Sequence, residues 1–382
     1  MNLSKLISYT KKSTLLGAGP MSKNCVLSAI NLANQKNVPI ILIASRRQIE
    51  CEEFGGGYVN NWSTEEFSNF VKKNDKKKLI FLARDHGGPW QGTEEEKLNL
   101  YKSMSAAKKS FEIDIDNDFK FIHIDTSIEP NKKVSTQKSL NRFYELFEHC
   151  VEYAKKKNKK ILFEIGTEEQ SGSTNTPDEL EFTLNEIEKF CKKKKYEMPK
   201  FVVIQSGTKV VEMRNIGSFE SPLRIENELA VEIQLPKMIE ICNKFKILMK
   251  EHNADYLTNH SLSLHPKLNI HAANIAPEFG VVESKSLLSL MLENKFYKEA
   301  DKFLDISYSS KKWKKWMLPN SKASKREKSI ISGHYIFANN QFQNLKKELI
   351  KKLERKNIDL DKYLQKKIGI SIYRYIKNFN LN

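Results

Sequence analysis

Residues 79–89, LIFLARDHGGP, run from five apolar residues directly into a charged, glycine-containing turn. A continuous apolar run of this length is typical of a strand that is buried on both faces, as in a parallel sheet. Seven similar runs recur along the chain, and polar or glycine-containing turns and helical patterns separate them. The eight predicted strands are 14–19, 39–44, 79–83, 119–124, 161–165, 201–204, 245–249 and 268–271.

The segments between the strands carry helix-start signals. Ser22 precedes a helical stretch, Ser63 begins the sequence STEE, and Thr176 is followed by a proline that suits a first helical turn. Eight strand–helix units in about 300 residues predict an α/β fold of the (β/α)₈ TIM-barrel type, with an open doubly wound sheet as the alternative. We expect a barrel domain over residues 1–300 and a helical C-terminal extension over 301–382, which includes a charged helix at 340–356.

The composition excludes several classes of protein. The chain of 382 residues is 40% hydrophobic and 29% charged, which argues against wholesale disorder. No apolar run reaches the roughly 18 residues of a membrane helix, and the polar N-terminus does not resemble a secretory signal. The five cysteines are scattered and odd in number, which argues against a disulfide framework. We therefore predict a cytoplasmic protein without a membrane partner.

The formal net charge of +17 comes mostly from lysine. Nine of the 64 basic residues are arginine, which leaves 64 − 9 = 55 lysines, many of them in runs on helix surfaces. Proteins that recognise phosphates or bases in nucleic acids use arginine heavily, because its planar fork donates two hydrogen bonds at once. We therefore predict no nucleic-acid partner, although the positive field would attract phosphorylated metabolites.

Polar residues follow nearly every predicted strand. In (β/α)₈ barrels the active site lies at the C-terminal ends of the strands, so these residues are the first candidates for a site. The polar segments are 45–48, 84–89, 125–127, 166–169, 205–208, 250–253 and 271–274.

Four of the motifs, taken in order, resemble a known family. They are Phe54–Tyr58, 84–89 (RDHGGP), 122–127 (IHIDTS) and 165–168 (IGTE). Together they are similar to the class II D-tagatose-bisphosphate aldolase accessory subunits, over roughly residues 13–320. Members of that family are barrels related to class II ketose-bisphosphate aldolases, and they are described as non-catalytic subunits that stabilise a separate aldolase. The resemblance implies a barrel and a sugar-phosphate substrate.

The catalytic relatives of that family imply a metal site. By that resemblance Asp85 is the acid/base, His86 and His252 are metal ligands, and Glu168 is a ligand or a catalytic carboxylate. Imidazole and carboxylate donors favour a divalent metal such as zinc. The relatives have a further histidine after strand 6, where this chain has Gln205. His271, His260 and Glu251 are possible substitutes.

Anion-binding candidates lie beside these residues. Arg46, Arg47 and Arg84 are three of only nine arginines, yet they follow two neighbouring strands. Glycine-containing turns offer backbone N–H groups to a phosphate. The other predicted substrate- or phosphate-binding residues are Gln205, Ser206, Gly207, Lys250, Asn253, His271 and Asn274.

Structural interpretations compete with these roles. Asp85 and His86 can form a structural pair, Glu168 can cap a helix, and His271 can be a core histidine. His123 is interpreted as structural and His265 as a surface residue. Our leading hypothesis is metal-assisted aldol cleavage or condensation of a phosphorylated ketose through an enediolate, in an oligomer. The alternatives are a non-catalytic subunit of a separate aldolase, or a sugar-phosphate isomerase or epimerase.

Overall fold

Eight parallel strands close on themselves in the computed structural model, which describes residues 1–166, 176–205, 208–219, 221 and 230–382. The order around the barrel is β1-β10-β9-β6-β5-β4-β3-β2, which confirms the predicted (β/α)₈ class. Two short strands, β7 and β8, form a separate hairpin after β6. The strands are β1 Leu15–Ala18, β2 Ile40–Ser45, β3 Ile80–Gly87, β4 Phe121–Asp125, β5 Leu162–Gly166, β6 Phe201–Ile204, β7 Lys209–Val211, β8 Arg214–Ile216, β9 Leu248–Glu251 and β10 Ala272–Ile275.

Helices surround the barrel and continue into the extension. The caps predicted from sequence are present: Ser22 accepts a hydrogen bond from the Cys25 N–H, and Ser63 and Thr176 form capping boxes with Glu66 and Glu179. The helices are α1 Leu3–Ser8, α2 Lys23–Lys36, α3 Thr64–Asn74, α4 Leu100–Asp116, α5 Thr136–Lys156, α6 Pro177–Lys194, α7 Val231–Lys244, α8 Asn259–Leu264, α9 Pro277–Glu293, α10 Tyr297–Ser309, α11 Lys325–Ser332, α12 Asn340–Glu354 and α13 Leu360–Asn378.

Two of the eight predicted strands are displaced. The seventh was predicted over 245–249, and β9 spans Leu248–Glu251; the eighth was predicted over 268–271, and β10 spans Ala272–Ile275. Alanine has a low strand propensity, so the two alanines of β10 did not indicate a strand. The strand was predicted instead over the bulkier residues 268–271 that precede them. The error matters for His271, which lies at the amino end of β10 and not at its carboxyl end.

Most of the buried hydrophobic side chains in the described part of the chain belong to two clusters. One fills the barrel and its helical shell, and it includes Ile368, Ile372 and Tyr375 of α13. The other lies between α9 and the helices α10 to α13. The last helix thus packs on the barrel itself, while the domain boundary at residue 300 stays a prediction. The five cysteines are free and buried.

The β7–β8 hairpin contacts the extension above the barrel. The backbone N–H of Glu212 donates to the carbonyl of Trp316 at 2.7 Å, and the Ser321 hydroxyl donates to Oε1 of Glu212 at 2.6 Å. These bonds hold part of the extension at the end of the barrel where the loops follow the strands.

Membrane-spanning helices were not expected from the sequence. Within the described ranges, every helix is too short or too polar to cross a bilayer.

Candidate metal centre at the carboxyl end of the barrel

The end of β3 brings two consecutive side chains to one site. Successive residues of a strand normally face opposite sides of the sheet. The pairing of β3 with β4 shifts register between Arg84 and Gly87, and His86 has a φ of +44°. A bulge of this kind re-aims a side chain, and a strained φ at a non-glycine residue often marks a functional site. Asp85 and His86 therefore both face the mouth of the barrel.

Asp85, His86 and His252 form a possible metal centre. One donor atom from each lies within 4.8 Å of the others. Oδ2 of Asp85 is 3.9 Å from Nε2 of His86 and 4.0 Å from Nε2 of His252. The two imidazole rings are 4.6 Å apart between centroids. The structure thus brings together the two histidines that the sequence analysis proposed as metal ligands and Asp85, which it proposed as the acid/base.

Asp125 fixes the orientation of His86. Its Oδ2 lies 2.8 Å from Nδ1 of His86 and accepts a hydrogen bond from Nε2 of Gln91, also at 2.8 Å. The backbone N–H and hydroxyl of Ser127 donate to its other oxygen. Burial raises the pKa of Asp125, but the hydrogen bond and charge of His86 outweigh it and lower the pKa below its usual value. An ionised Asp125 keeps the proton on Nδ1 and leaves Nε2 to coordinate a metal.

Asp85 lies among three imidazoles and one amide. Oδ1 of Asp85 is 3.3 Å from Nδ1 of the fully buried His123, and it accepts a hydrogen bond from Nδ2 of Asn274 at 3.2 Å. Burial raises the pKa of Asp85, but the charge of His86 and the neighbouring imidazoles of His123 and His252 hold it well below its usual value. The carboxylate is therefore ionised, which suits a metal ligand better than a proton donor.

His123 and Asp125 were missing from the predicted site. They are two residues apart on β4 and therefore face the same side of the sheet. That alternation is visible in the sequence IHIDTS, and it was the available signal. The imidazole of His123 fits because residue 166 is a glycine: a Cβ there would lie 2.1 Å from Nε2 of His123.

Arg84 and Arg46 do not reach the mouth as free cations. Arg84 faces outward from β3, where Nε and Nη2 donate to Asp114 of α4 at 2.7 and 2.6 Å. Nη1 of Arg84 also donates to two backbone carbonyls. Arg46 pairs with Glu50 and Glu95 and donates to the Gly88 carbonyl at 3.0 Å. Both guanidinium groups are buried and occupied, so they stabilise the loops instead of offering a face to phosphate.

The remaining predicted binding residues are divided between the mouth and other places. Arg47 is exposed after β2, and Asn253 follows β9. Buried Gln205 donates from Nε2 to the Thr208 carbonyl at 3.1 Å. Lys250 lies inside the barrel, where Nζ is 3.0 and 2.9 Å from the two carboxylate oxygens of Glu164. Glu168, Ser206 and Gly207 lie outside the described residues.

Three other residues considered as metal ligands lie away from the centre. His271 is at the opposite, amino end of the barrel, where its Nδ1 accepts a hydrogen bond from the Met249 N–H at 3.1 Å. Burial and the charge of Lys200 lower its pKa. His260 is exposed on α8. Glu251 pairs with His265, so the interpretation of His265 as a surface residue is wrong: it is buried.

Comparisons with known proteins place the fold but no family. No protein-family model matches the sequence, and no curated protein matches it. Among solved structures, the chain is similar to a probable tagatose 6 phosphate kinase from Sinorhizobium meliloti 1021, with 14% identity, a TM-score of 0.69, and 96% of this chain and 100% of that one covered.

Two other solved structures have the same fold. The fructose-bisphosphate aldolase of Campylobacter jejuni is 12% identical, with a TM-score of 0.57, and the match covers 99% of this chain and 93% of that one. A fructuronate-tagaturonate epimerase from Cohnella laeviribosi is 10% identical, with a TM-score of 0.61 and coverage of 100% and 85%. At such identities the likeness shows the fold that this chain shares with them.

Proposed function

We propose that this chain is a metal-dependent carbon–carbon lyase of the class II aldolase type, acting on a phosphorylated ketose. The observation that carries the proposal is the convergence of Asp85, His86 and His252 at the carboxyl end of the barrel. Titratable residues placed there are the usual machinery of barrel enzymes. The names of the similar structures, which include an aldolase, agree with this choice.

The donor set fits a divalent cation such as zinc. Two imidazole nitrogens and one carboxylate oxygen are typical of catalytic zinc sites, which keep a further position open. Tetrahedral ligands with bonds of about 2.0–2.1 Å lie roughly 3.3 Å apart. The two separations from Asp85, 3.9 and 4.0 Å, require a contraction of less than about 1 Å, and the donor atoms of the two histidines lie within 4.8 Å of each other. A cation held there would act as a Lewis acid on a substrate carbonyl.

The residues around the metal centre have separate proposed roles in metal binding, substrate binding and proton transfer. We assign Asp85 to the ligand set, because its surroundings favour the ionised carboxylate. Asn274 holds Asp85 through Nδ2, while its buried Oδ1 has no partner among the described residues and can accept a hydrogen bond from a substrate hydroxyl. Glu168 stays our candidate for proton transfer, on the family resemblance alone.

The phosphate group of the substrate would bind to the exposed guanidinium group of Arg47 and to the loop that follows β6. Arg47 is the one predicted arginine that is exposed after β2, and Ser206 and Gly207 stay predictions from the sequence. Asn253, next to His252, has a φ of +62°, and its carbonyl accepts a hydrogen bond from Asn215 at 2.7 Å. The oligomeric state and the cytoplasmic location also stay predictions.

Gln205 supports a second candidate function, that of a non-catalytic accessory subunit. The catalytic relatives have a metal-binding histidine at this position, and here a buried amide donates to a backbone carbonyl. A chain with a reduced ligand set can serve as the accessory subunit of a separate aldolase. An epimerase would use the same centre to move a proton without breaking a bond.

One set of incubations separates these functions. Pure protein is incubated with D-tagatose 1,6-bisphosphate or with D-fructose 1,6-bisphosphate, in deuterated water. Each incubation is run with and without EDTA. EDTA-sensitive release of triose phosphate supports the lyase, and deuterium uptake without cleavage indicates an epimerase. Neither reaction, together with stoichiometric co-purification of an aldolase from the native host, would replace the lyase proposal with the accessory role.

A further inference from the structure

His334 is a buried histidine whose imidazole lacks hydrogen bonds. It lies on a short turn of the C-terminal extension, Gly333–Ile336, and is 1% exposed. Neither ring nitrogen has a partner among the described residues. Burial, helped by the charge of Lys315, lowers its pKa to about 3, so the ring is neutral. A neutral imidazole has one donor and one acceptor, and leaving both unused in the interior is costly.

The turn places this imidazole at the same end of the barrel as the metal centre. His334 lies against the first turn of α9, which follows β10, the strand of Asn274. The contact depends on Gly280, because a Cβ there would lie 2.6 Å from Cγ of His334. The ring of Tyr58, in the loop after β2, is 6.5 Å away between centroids. His334 therefore lies above the carboxyl ends of the strands.

Tyr256 supplies a second unused polar group in this region. Its buried hydroxyl has no partner in the described part of the chain. Tyr256 follows His252 in the loop after β9 and has a φ of +60°, which is unusual for an aromatic residue. Its N–H donates to Oε2 of Glu278 at 2.6 Å, which helps to hold the loop in that conformation.

The rings form a set that extends outward from His334. Tyr335 lies 4.0 Å from His334 and 4.9 Å from Tyr58 between ring centroids. The burial of Tyr256 and the nearby carboxylates raise its pKa well above the usual value, and Tyr335 adds to that effect. Tyr58, Tyr256 and Tyr335 are each partly exposed. We call Tyr58, Tyr256, His334 and Tyr335 the aromatic group.

We propose that the aromatic group binds the uncharged hydroxyl chain of a sugar whose carbonyl end is at the metal centre. A hydroxyl both donates and accepts a hydrogen bond, as a neutral imidazole and a phenol do. The flat rings can cover the C–H faces of the chain. A phosphate would instead require cations or several N–H donors, and His334 is neutral. The inference rests on the proposed function, because it takes that function's substrate.

A matched pair of variants tests the role of His334. His334→Phe keeps the ring shape and removes both nitrogens, whereas His334→Gln keeps one donor and one acceptor. His149→Asn is the control, because His149 lies on α5, where it pairs with Glu112. The probes are D-tagatose, which carries the hydroxyl chain, and dihydroxyacetone phosphate, which lacks it. Affinities are measured calorimetrically on the full chain, and thermal unfolding is recorded for each variant.

We expect His334→Phe to weaken D-tagatose binding by about tenfold, the loss of one hydrogen bond. Binding of dihydroxyacetone phosphate should be unchanged, and the thermal midpoint unchanged or higher, because a buried polar group has been removed. His334→Gln and His149→Asn should bind D-tagatose nearly as well as the parent. Unchanged D-tagatose affinity in His334→Phe would overturn the inference.

¹⁵N NMR spectra of the histidine side chains distinguish a failure of the sugar subsite from a failure of the proposed lyase function. In protein labelled with ¹⁵N-histidine, D-tagatose should shift the His334 nitrogens and leave those of His149 unchanged. If it does so while EDTA-sensitive cleavage is absent, the proposed lyase fails and the sugar subsite stands. If the protein cleaves ketose bisphosphates but D-tagatose leaves His334 unshifted up to the solubility limit of the sugar, the subsite fails alone.

Discussion

Nδ1 of His86 lies 2.8 Å from Oδ2 of Asp125, and this contact orients the imidazole at the candidate metal centre. Asp125→Asn removes the negative charge that keeps the proton on Nδ1. We expect it to weaken zinc affinity about 10–100-fold, as is usual for the partner of a metal-binding histidine. Competition with a chromophoric chelator measures the change. Glu112→Gln alters a carboxylate–histidine pair on the outer helices and should leave zinc affinity unchanged.

The Lys250–Glu164 pair lies one layer below the centre, with both side chains buried inside the barrel. Removing one partner leaves a buried charge unpaired, so Lys250→Met or Glu164→Leu alone should each cost about 3–5 kcal/mol of unfolding free energy. The double variant should recover most of that loss, because it removes both charges. Urea denaturation measures the three variants. A double variant as unstable as the sum of the single ones would contradict a simple ion pair.

Arg84 and Arg47 should differ in their effect on stability. Arg84→Lys cannot keep the paired bonds to Asp114 together with the bonds to two carbonyls, and we expect a loss of about 2–3 kcal/mol. Arg47 is exposed, so Arg47→Lys should change the unfolding free energy by less than about 0.5 kcal/mol. Equal effects in denaturant titrations would contradict the placement of Arg84 between β3 and α4.

Asp255 should make stability depend on pH. Its Oδ1 accepts hydrogen bonds from the N–H groups of Ala276 and Glu278, but burial and the charge of Glu278 raise its pKa to about 8. The folded state therefore holds a proton that the unfolded state has lost above about pH 4. This group lowers the unfolding free energy as the pH rises from about 4 to about 8.

Asp255→Asn keeps Oδ1 as an acceptor and cannot ionise. Between pH 5 and pH 8 we expect its unfolding free energy to rise relative to that of the parent by roughly 3–4 kcal/mol, because each pH unit in this range is worth about 1.4 kcal/mol. Burial raises the pKa of Glu283 to about 7, so Glu283 also makes the unfolding free energy fall as the pH rises. That effect is the same in the parent and in Asp255→Asn, and it cancels in their difference. Denaturation curves across this range measure the difference. Parallel stability–pH profiles for parent and variant would show that Asp255 does not titrate with folding.

The sequence predicted the fold well because its signals are local. Apolar runs and caps such as Ser63 with Glu66 depend on neighbouring residues, and the structure contains them. The run 268–271 misled the prediction because β10 begins with two alanines, and His271 was assigned to the wrong end of the barrel as a result.

The site was less predictable, because side-chain partners come from distant parts of the chain. Asp85 and His86 were recognisable as a motif, and their convergence with His252 followed from the barrel. Arg84 pairs with Asp114, which lies 30 residues later in the chain, because the Arg84 side chain is on the outer face of β3. The sequence does not show which face of the strand that side chain is on. The bulge that turns His86 toward the mouth also has no signature in the local pattern.

Metal binding by Asp85, His86 and His252 is the central claim, and direct titration tests it. Metal-depleted protein is titrated with Zn²⁺ calorimetrically, and with Co²⁺ while the visible spectrum is recorded. We expect one tight site per chain with a tetrahedral-type cobalt spectrum, and loss of that site in His86→Ala and in His252→Ala, while His149→Asn retains it. Tight binding that survives both substitutions, or no tight site in the parent, would contradict the account.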